Sequence, residues 1–219
     1  MKNVLITGAN RGIGLELCRQ LAFRGENVVA VCRKAGDELQ SLDLRIIDGV
    51  DVNDPESISS LATRLGNMRL DWLINNAGIL SVESLESLDF EAMEQQFRVN
   101  ALGPLRITAA LLAKLDPGSK IGIITSRMGS VGDNTSGGYY GYRMSKAAVN
   151  MAGMSLARDL QERRIAVALL HPGMVATDMT GGRGVTPEHS ASGLIKRMDA
   201  LDMGHTGSFW HAEGEQLPW

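Results

Sequence analysis

A glycine-rich turn near the N-terminus constrains the fold of this chain more than any other feature. The apolar run from Val4 to Ile6 predicts a short β-strand, and Gly8, Gly12 and Gly14 then lead into a segment with apolar residues at helical spacing. Glycines at such a turn let backbone N–H groups and a helix N-terminus approach a dinucleotide pyrophosphate. The same glycines are also compatible with a turn that only connects two elements.

The spacing of this turn is T-G-x-x-x-G-x-G, and no Gly-Lys-Ser or Gly-Lys-Thr follows it. The absence of that lysine disfavours a nucleotide-binding P-loop. A phosphate cradle of the dinucleotide-binding kind is therefore the functional hypothesis for residues 4–14.

The length and charge of the chain limit its class. With 219 residues, it can bury one core, so we expect a single domain over 1–219. A formal net charge of -3 gives no reason to expect nucleic acid or a membrane as a partner, and a small molecule is favoured. Two cysteines disfavour a disulfide framework and a metal cluster, which predicts no metal and a cytoplasmic location.

Apolar runs alternate with helical patterns along the whole chain. Strands are predicted at 4–6, 27–32, 44–50, 71–74, 121–125, 165–170 and 207–210, and helices at 12–24, 54–65, 89–115, 139–162 and 187–201. This alternation predicts an α/β, Rossmann-type doubly wound parallel sheet with helices on both faces. The segment at about 179–205 is rich in Gly, Ser, Thr and Met, which predicts a mobile cover over the substrate.

Basic residues follow the second predicted strand, at the point where a dinucleotide fold meets the adenosine ribose. Arg33 and Lys34 lie there, Arg11 lies in the glycine turn, and no acidic residue occurs before Asp37. An acidic residue would repel a 2′-phosphate, whereas these cations would bind it. The pattern favours NADP(H) over NAD(H), although two basic residues at a strand end can also be merely solvated.

A second chemical pattern lies in the helix predicted at 139–162. Tyr142 and Lys146 are one turn apart, so their side chains emerge from one helix face. A nearby ammonium would lower the pKa of the phenol and make it a usable acid or base. By itself the pair more often indicates a partly buried tyrosine beside a lysine that extends to solvent. His171 ends a strand without an acidic partner in sequence, which indicates a structural role.

Polar residues elsewhere mark the same edge of the predicted sheet. The amides of Asn75 and Asn76 follow the fourth strand and are suited to tying strand ends together. Gly103-Pro104 should bend the helix at 89–115, and a bend can free a backbone carbonyl to hold water close to Asn100.

The ordered set of motifs is similar to that of the short-chain dehydrogenase/reductase family, from Val4 to the C-terminus. These motifs are the turn at 7–14, Asn75-Asn76-Ala77-Gly78, Asn100, Ser126, Tyr142 with Lys146, and Pro172-Gly173. The Ser-Gly-Gly-Tyr-Tyr run and the Leu-Pro-Trp ending look like the carbonyl-reductase branch, which contains sniffer-type reductases and bacterial C-factor proteins.

The resemblance implies reduction of a small aldehyde or ketone, or oxidation of the corresponding alcohol. It implies four catalytic residues, namely Asn100, Ser126, Tyr142 and Lys146. It implies cofactor contacts from Gly8, Asn10, Arg11, Gly12, Ile13, Gly14, Arg33, Asp51, Val52, Asn76, Ala77, Gly78, Tyr142, Lys146, Pro172, Gly173, Val175 and Thr177. The helices at 89–115 and 139–162 could pair across a two-fold axis in a homodimer or homotetramer.

Two alternatives remain open at this point. The separation of Ser126 from Tyr142 is longer than is usual in the family, because of the loop at 134–138, so Ser130 is a rival for the serine role. The chain also fits a C-factor-like signalling protein that binds NAD(P) and in which catalysis is incidental.

Overall fold

A computed structural model describes all 219 residues. Its strands are β1 (Asn3–Thr7), β2 (Asn27–Val31), β3 (Arg45–Ile47), β4 (Leu70–Asn75), β5 (Leu115–Ile124), β6 (Ala166–His171) and β7 (Ser208–His211). Its helices are α1 (Gly12–Phe23), α2 (Asp37–Gln40), α3 (Pro55–Arg64), α4 (Phe90–Phe97), α5 (Gly103–Leu111), α6 (Tyr140–Asp159) and α7 (Pro187–Ala200).

The seven strands form one parallel sheet in the order β3-β2-β1-β4-β5-β6-β7. The chain winds outward from β1 in one direction and then returns to continue from β4 in the other. Strands β1 and β4 are neighbours, with Leu5 opposite Leu73, so the loops that follow them leave the sheet in opposite directions. A crevice opens at such a switch point, at the carboxyl ends of the strands. The glycine turn and Asn75-Asn76 border that crevice.

Helices cover both faces of the sheet, and successive strand residues alternate between two apolar layers. Ile6 and Ala30 pack in the layer under α1 and α7, whereas Leu5 and Val29 pack in the layer under α3, α5 and α6. Burial on both faces explains why the strands are continuous apolar runs. The predicted doubly wound architecture is confirmed.

The segment predicted as a cover, 179–205, contains the helix expected at 187–201. This helix is α7, whose residues Ala191, Leu194 and Met198 are buried in the core, whereas the part before it is an irregular loop. The spacing of these buried residues forms an apolar stripe that packs on α1 and the sheet. The role as a cover stays a prediction for the loop before α7. Strand β3 is shorter than the predicted 44–50, and the helical run predicted at 89–115, with its predicted bend, consists of α4 and α5 joined by a π-helical turn.

No helix of the protein combines the length and the apolarity needed to span a bilayer.

Candidate active site

The glycine turn closes tightly at the C-terminal end of β1. Gly8 has φ +67°, a left-handed conformation in which glycine is favoured, and a Cβ on Gly14 would lie 2.2 Å from the carbonyl oxygen of Gly8. A side chain at position 14 would therefore collide with the backbone. The start of α1 stays open to its surroundings, with no side chain capping its first turn. The turn thus fits the phosphates of a dinucleotide, because its free N–H groups and the helix dipole favour an anion.

The side chains of Asn76 and Thr7 tie the glycine turn to the loop after β4. The amide nitrogen of Asn76 donates to the carbonyl oxygens of Thr7 at 3.0 Å and Gly8 at 3.2 Å. The Thr7 hydroxyl oxygen accepts hydrogen bonds from the backbone N–H groups of Asn76 and Ala77. The structural role predicted for Asn76 is present, and Asn75 has a similar one through Thr108.

The basic residues predicted to bind the adenosine end differ in their surroundings. Arg33 follows β2 with an exposed side chain that makes no hydrogen bond or ion pair. Arg11 is also exposed, but its guanidinium lies 2.7 Å from the carboxylate of Asp178 across the crevice. Asn10 accepts a hydrogen bond from the N–H of Gly36 at 2.6 Å, which holds the turn against the loop after β2. Arg33 is therefore free to meet a ligand, and so is Lys34 beside it, whereas Arg11 is already paired.

The remaining predicted cofactor residues also lie at the carboxyl edge of the sheet. Asp51 and Val52 follow β3, and Val52 packs against Gly103. Pro172 and Gly173 follow β6 directly, while Val175 pairs with Val185 as an isolated parallel bridge. Ile13 packs on the layer under α1, and Gly12 faces the methyl group of Thr177.

Three side chains of the predicted catalytic set converge beside this crevice. Tyr142 and Lys146 are both buried on α6, and the Lys146 Nζ lies 5.7 Å from the centre of the Tyr142 ring. The same Nζ donates a hydrogen bond of 2.9 Å to the carbonyl oxygen of Ile124, at the end of β5. Ser126 follows β5 by two residues, and its side chain lies beside that of Tyr142 and favours the ionised phenol. The hydroxyl oxygens of Ser126 and of the rival Ser130 each accept from a backbone N–H nearby in the chain, and only Ser126 acts on Tyr142.

Burial dominates the electrostatics of this pair. Desolvation raises the pKa of Tyr142 to about 12, and the Ser126 side chain beside the phenol offsets this only in part. Desolvation also lowers the pKa of Lys146 to about 8, because the ammonium is buried too. The predicted lowering of the tyrosine pKa is therefore wrong for these side chains. The ammonium faces the Tyr142 ring and the Ile124 carbonyl, and the loss of water disfavours the phenolate.

Asn100 lies in a five-residue π-helical turn, Arg98–Leu102, which separates α4 from α5. The predicted disturbance of the helix is confirmed, and Pro104 explains it, since proline has no N–H to donate to the carbonyl of Asn100. The side-chain amide of Asn100 is held by the backbone of Ile79 at 2.9 Å in both directions and by the Ser145 hydroxyl. The side chain is thereby fixed, and Pro104 leaves the backbone carbonyl of Asn100 without its usual α-helical donor.

Gly78 connects these two parts of the site. A Cβ on Gly78 would lie 3.3 Å from the side-chain oxygen of Asn100 and 3.7 Å from the Nζ of Lys146. The segment Asn76-Ala77-Gly78 after β4 therefore extends from the glycine turn to Lys146, as a cofactor-binding segment would.

A buried carboxylate that the sequence did not reveal anchors the start of α6. Glu83 accepts hydrogen bonds from the Gln96 amide at 2.7 Å and from the N–H of Gly141 at 3.2 Å, and it also contacts the hydroxyl of Ser81. Its backbone carbonyl accepts from the N–H of Tyr139, which has φ 52°. In sequence, Glu83 stands in an acidic, serine-rich stretch that resembles a solvated loop, so no local signal marks it.

His171 is placed as its predicted structural role requires. It ends β6 with its ring edge-on to His211, at 4.9 Å between ring centres. Burial, with nearby positive charge, lowers the pKa of His171 to about 3, so the ring is neutral at physiological pH. A neutral buried histidine is suited to packing rather than to general acid catalysis.

Comparison with known proteins finds a matching family model and several similar proteins. A family model described as short chain dehydrogenase matches residues 2–187. A 1-hydroxy-2-glutathionyl-2-methyl-3-butene dehydrogenase of Rhodococcus sp. (strain AD45) is 45% identical over 100% of both chains. The C-signal protein of Myxococcus xanthus is 43% identical over 73% of this chain and 99% of its own length.

Solved structures agree with these relatives. An NADPH-bound carbonyl reductase from chicken fatty liver has a TM-score of 0.92 and 32% identity, covering 100% of this chain and 99% of that chain. The carbonyl reductase Sniffer of D. melanogaster has a TM-score of 0.92 and 28% identity, covering 100% of both chains.

Proposed function

Because this chain belongs to the short-chain dehydrogenase/reductase family, we propose that it is an NADPH-dependent reductase of small aldehydes or ketones. The observation that carries this proposal is the convergence of Tyr142, Lys146 and Ser126 at the carboxyl edge of the sheet. That edge is where ligands bind in open α/β sheets.

Each side chain has a role that follows from its surroundings. Tyr142 holds its proton over the whole physiological pH range and gives it to the carbonyl oxygen of the substrate. Ser126 hydrogen-bonds the same oxygen and orients it toward the phenol. Lys146 supplies a positive charge beside the developing alkoxide and holds the ribose of the nicotinamide nucleotide. The backbone carbonyl of Asn100 holds a water that returns a proton toward Lys146.

The bound nicotinamide nucleotide supplies the hydride, or accepts it in the direction of alcohol oxidation. Gly8, Gly12 and Gly14 leave room for its pyrophosphate beside the first turn of α1. The segment from Pro172 to Thr177 lines its nicotinamide end. Arg33 would bind a 2′-phosphate, since it is exposed and has no partner of its own. This favours NADP(H), and NADPH in the chicken reductase is in keeping with it.

The test is a screen of aldehydes, ketones and quinones with NADPH and NADH in parallel, followed by the variant Tyr142→Phe. Removing the phenol hydroxyl should abolish reduction and leave NADPH affinity unchanged, because the hydroxyl acts on the substrate oxygen. A variant with an undiminished rate would contradict the acid role.

A second candidate function is signalling in the manner of a C-factor protein, with turnover incidental. The similarity to the C-signal protein favours it. The same Tyr142→Phe variant separates the two functions in cells. A cellular effect that survives loss of the phenol would favour signalling, whereas a lost effect would favour metabolism.

We also propose self-association and a cytoplasmic location. Phe90 on α4 and Met144 and Met151 on α6 are exposed apolar residues, and a two-fold pairing of these helices would cover them in a homodimer or homotetramer. A sedimentation mass equal to one chain would contradict this. The free thiols of Cys18 and Cys32 are in keeping with a reducing compartment.

A further inference from the structure

A cavity of about 630 Å³ lies beside the catalytic crevice, outside the group of Tyr142, Ser126 and Lys146. Its walls are Pro172-Gly173 after β6, one face of α7, and the turn after β7 at 211–213. The volume lies in the range that holds a small organic ligand. Because Pro172-Gly173 also borders the proposed nicotinamide end, the cavity is next to the place where a substrate would react.

Two cations line the cavity on the side of α7. His189, Gly193 and Arg197 follow one another at helical spacing, and Lys196 lies beside them on the same wall. Gly193 lets the helix approach closely, since a Cβ there would lie 2.8 Å from the backbone oxygen of Ala212. This face of α7 therefore packs closely on the end of β7, and its basic residues lie at the edge of that contact.

The guanidinium of Arg197 has no partner within the protein. Its Nε is buried without any hydrogen bond, and its other nitrogens make no hydrogen bond or ion pair. Lys196 is exposed and is likewise unpaired. Buried donors of a charged group are normally satisfied, because leaving them unpaired is costly. Arg197 thus presents a forked set of donors suited to a carboxylate.

The opposite wall adds a third donor. The Nδ1 of His211 accepts a hydrogen bond of 3.1 Å from the N–H of Glu213, so in the neutral ring the proton lies on Nε2. That Nε2 faces Gly173, at 3.5 Å from the position of a Cβ there. The carboxylate of Glu213 lies 3.6 Å from the ring of His189. Two lysine or arginine cations against one carboxylate leave the lining positive.

We propose that this cavity binds a carboxylate carried by the substrate, with Arg197 as its principal partner and Lys196 as a supporting charge. The proposal rests on the reductase function above and narrows it to carbonyl compounds that bear an acidic tail. The carbonyl end would lie at Tyr142 and the acidic end at Arg197. The carboxylate could belong to a simple oxo acid or to a peptide conjugate, and both share this chemistry.

The test compares matched substrates and variants. Straight-chain ω-oxo carboxylates of increasing length are assayed with NADPH beside their methyl esters, which keep the aldehyde and lose the charge. The variants are Arg197→Met and Arg197→Lys, with Arg158→Met as the control, because Arg158 is an exposed, unpaired arginine on α6. In a second arm, S-hexylglutathione without cofactor is tested for its effect on the thermal midpoint of the wild type and of Arg197→Met.

For the wild type, we expect the acid of the fitting length to have a kcat/KM about tenfold to a hundredfold above that of its ester. Arg197→Met should remove this preference through KM, Arg197→Lys should keep part of it, and Arg158→Met should keep all of it. Arg197→Met should fold normally, since it breaks no bond within the protein. Stabilisation by S-hexylglutathione that Arg197→Met removes would identify a peptide conjugate as the carboxylate source, whereas the kinetic preference without stabilisation would identify a simple oxo acid.

Equal kcat/KM for acids and esters in an active wild type would overturn the carboxylate site while leaving the reductase function standing. A loss of NADPH affinity in Arg197→Met would also overturn it, because the cation would then serve the cofactor. Failure of the wild type to reduce any carbonyl compound would count against the reductase function itself.

Discussion

Replacing Lys146 with methionine should make the protein more stable at neutral pH while abolishing its chemistry. Burial lowers the pKa of Lys146 from 10.5 to about 8. Such a change means that holding the charged lysine in the folded state costs roughly 3 kcal/mol. Methionine is similar in length and has no charge to desolvate. The hydrogen bond to the Ile124 carbonyl is lost, which costs about 1 kcal/mol, so we expect a net gain of roughly 2 kcal/mol.

The gain has a definite pH dependence. The pKa of Lys146 is lower in the folded state, so the unfolded chain binds more protons between pH 8 and 10.5, and wild-type stability rises through that window. The methionine variant lacks this rise. Its advantage is therefore complete below the folded-state pKa and disappears as the pH approaches the unfolded value. The pKa of Tyr142 is raised in both proteins, so it does not alter the comparison at neutral pH.

The assay is urea unfolding at pH 7 and pH 10, read as the free energy of unfolding for each protein. Lys34→Met is the control, because Lys34 is exposed and unpaired and its loss should change stability little at either pH. A Lys146→Met protein that is less stable than the wild type at pH 7, or that has the same advantage at both pH values, would refute the reasoning.

Three further substitutions test other parts of the site. Glu83→Ala should lower the free energy of unfolding by about 1–3 kcal/mol, since it leaves the N–H of Gly141 without its acceptor; urea denaturation measures this, and the exposed Glu86→Ala should match the wild type. Gly14→Ala should weaken NADPH binding in a fluorescence titration, because its Cβ would lie 2.2 Å from a backbone oxygen; unchanged affinity would contradict the cradle. Arg33→Ser should raise the KM for NADPH about tenfold to a hundredfold and leave the KM for NADH nearly unchanged.

Much of the fold and the position of the site could be predicted because parallel strands all present their carboxyl ends at one edge. Once the apolar runs before Gly8, Asn75 and Ser126 are identified as strands, their following residues must lie at that edge. The predicted doubly wound sheet is confirmed, and so is the predicted family. The disturbance near Asn100 was equally accessible, since the missing N–H of Pro104 is a property of one residue type.

Other features depend on distant contacts and have no local signature. The sequence predicts a helix at 187–201, but the burial of α7 follows only from its packing on α1 and the sheet. Glu83 is buried because Gln96 and Gly141 close over it from two different helices. The pKa of Tyr142 is raised, whereas the sequence predicted that it would be lowered. Helical spacing gives the distance to an ammonium but not the amount of water lost on burial.

The loss of water that raises the pKa of Tyr142 also fixes its protonation state. With a pKa of about 12, the phenol keeps its proton at neutral pH, beside an ammonium whose pKa is about 8. Under the proposed function, this phenol would protonate a carbonyl oxygen, whereas alcohol oxidation would first have to remove that proton. Both shifts require a dry, fixed start to α6, and Glu83 and the amide of Asn100 hold the surrounding backbone through buried hydrogen bonds. Hydrogen bonds away from the Tyr142 hydroxyl therefore help to maintain its protonation state, on which the proposed reduction depends.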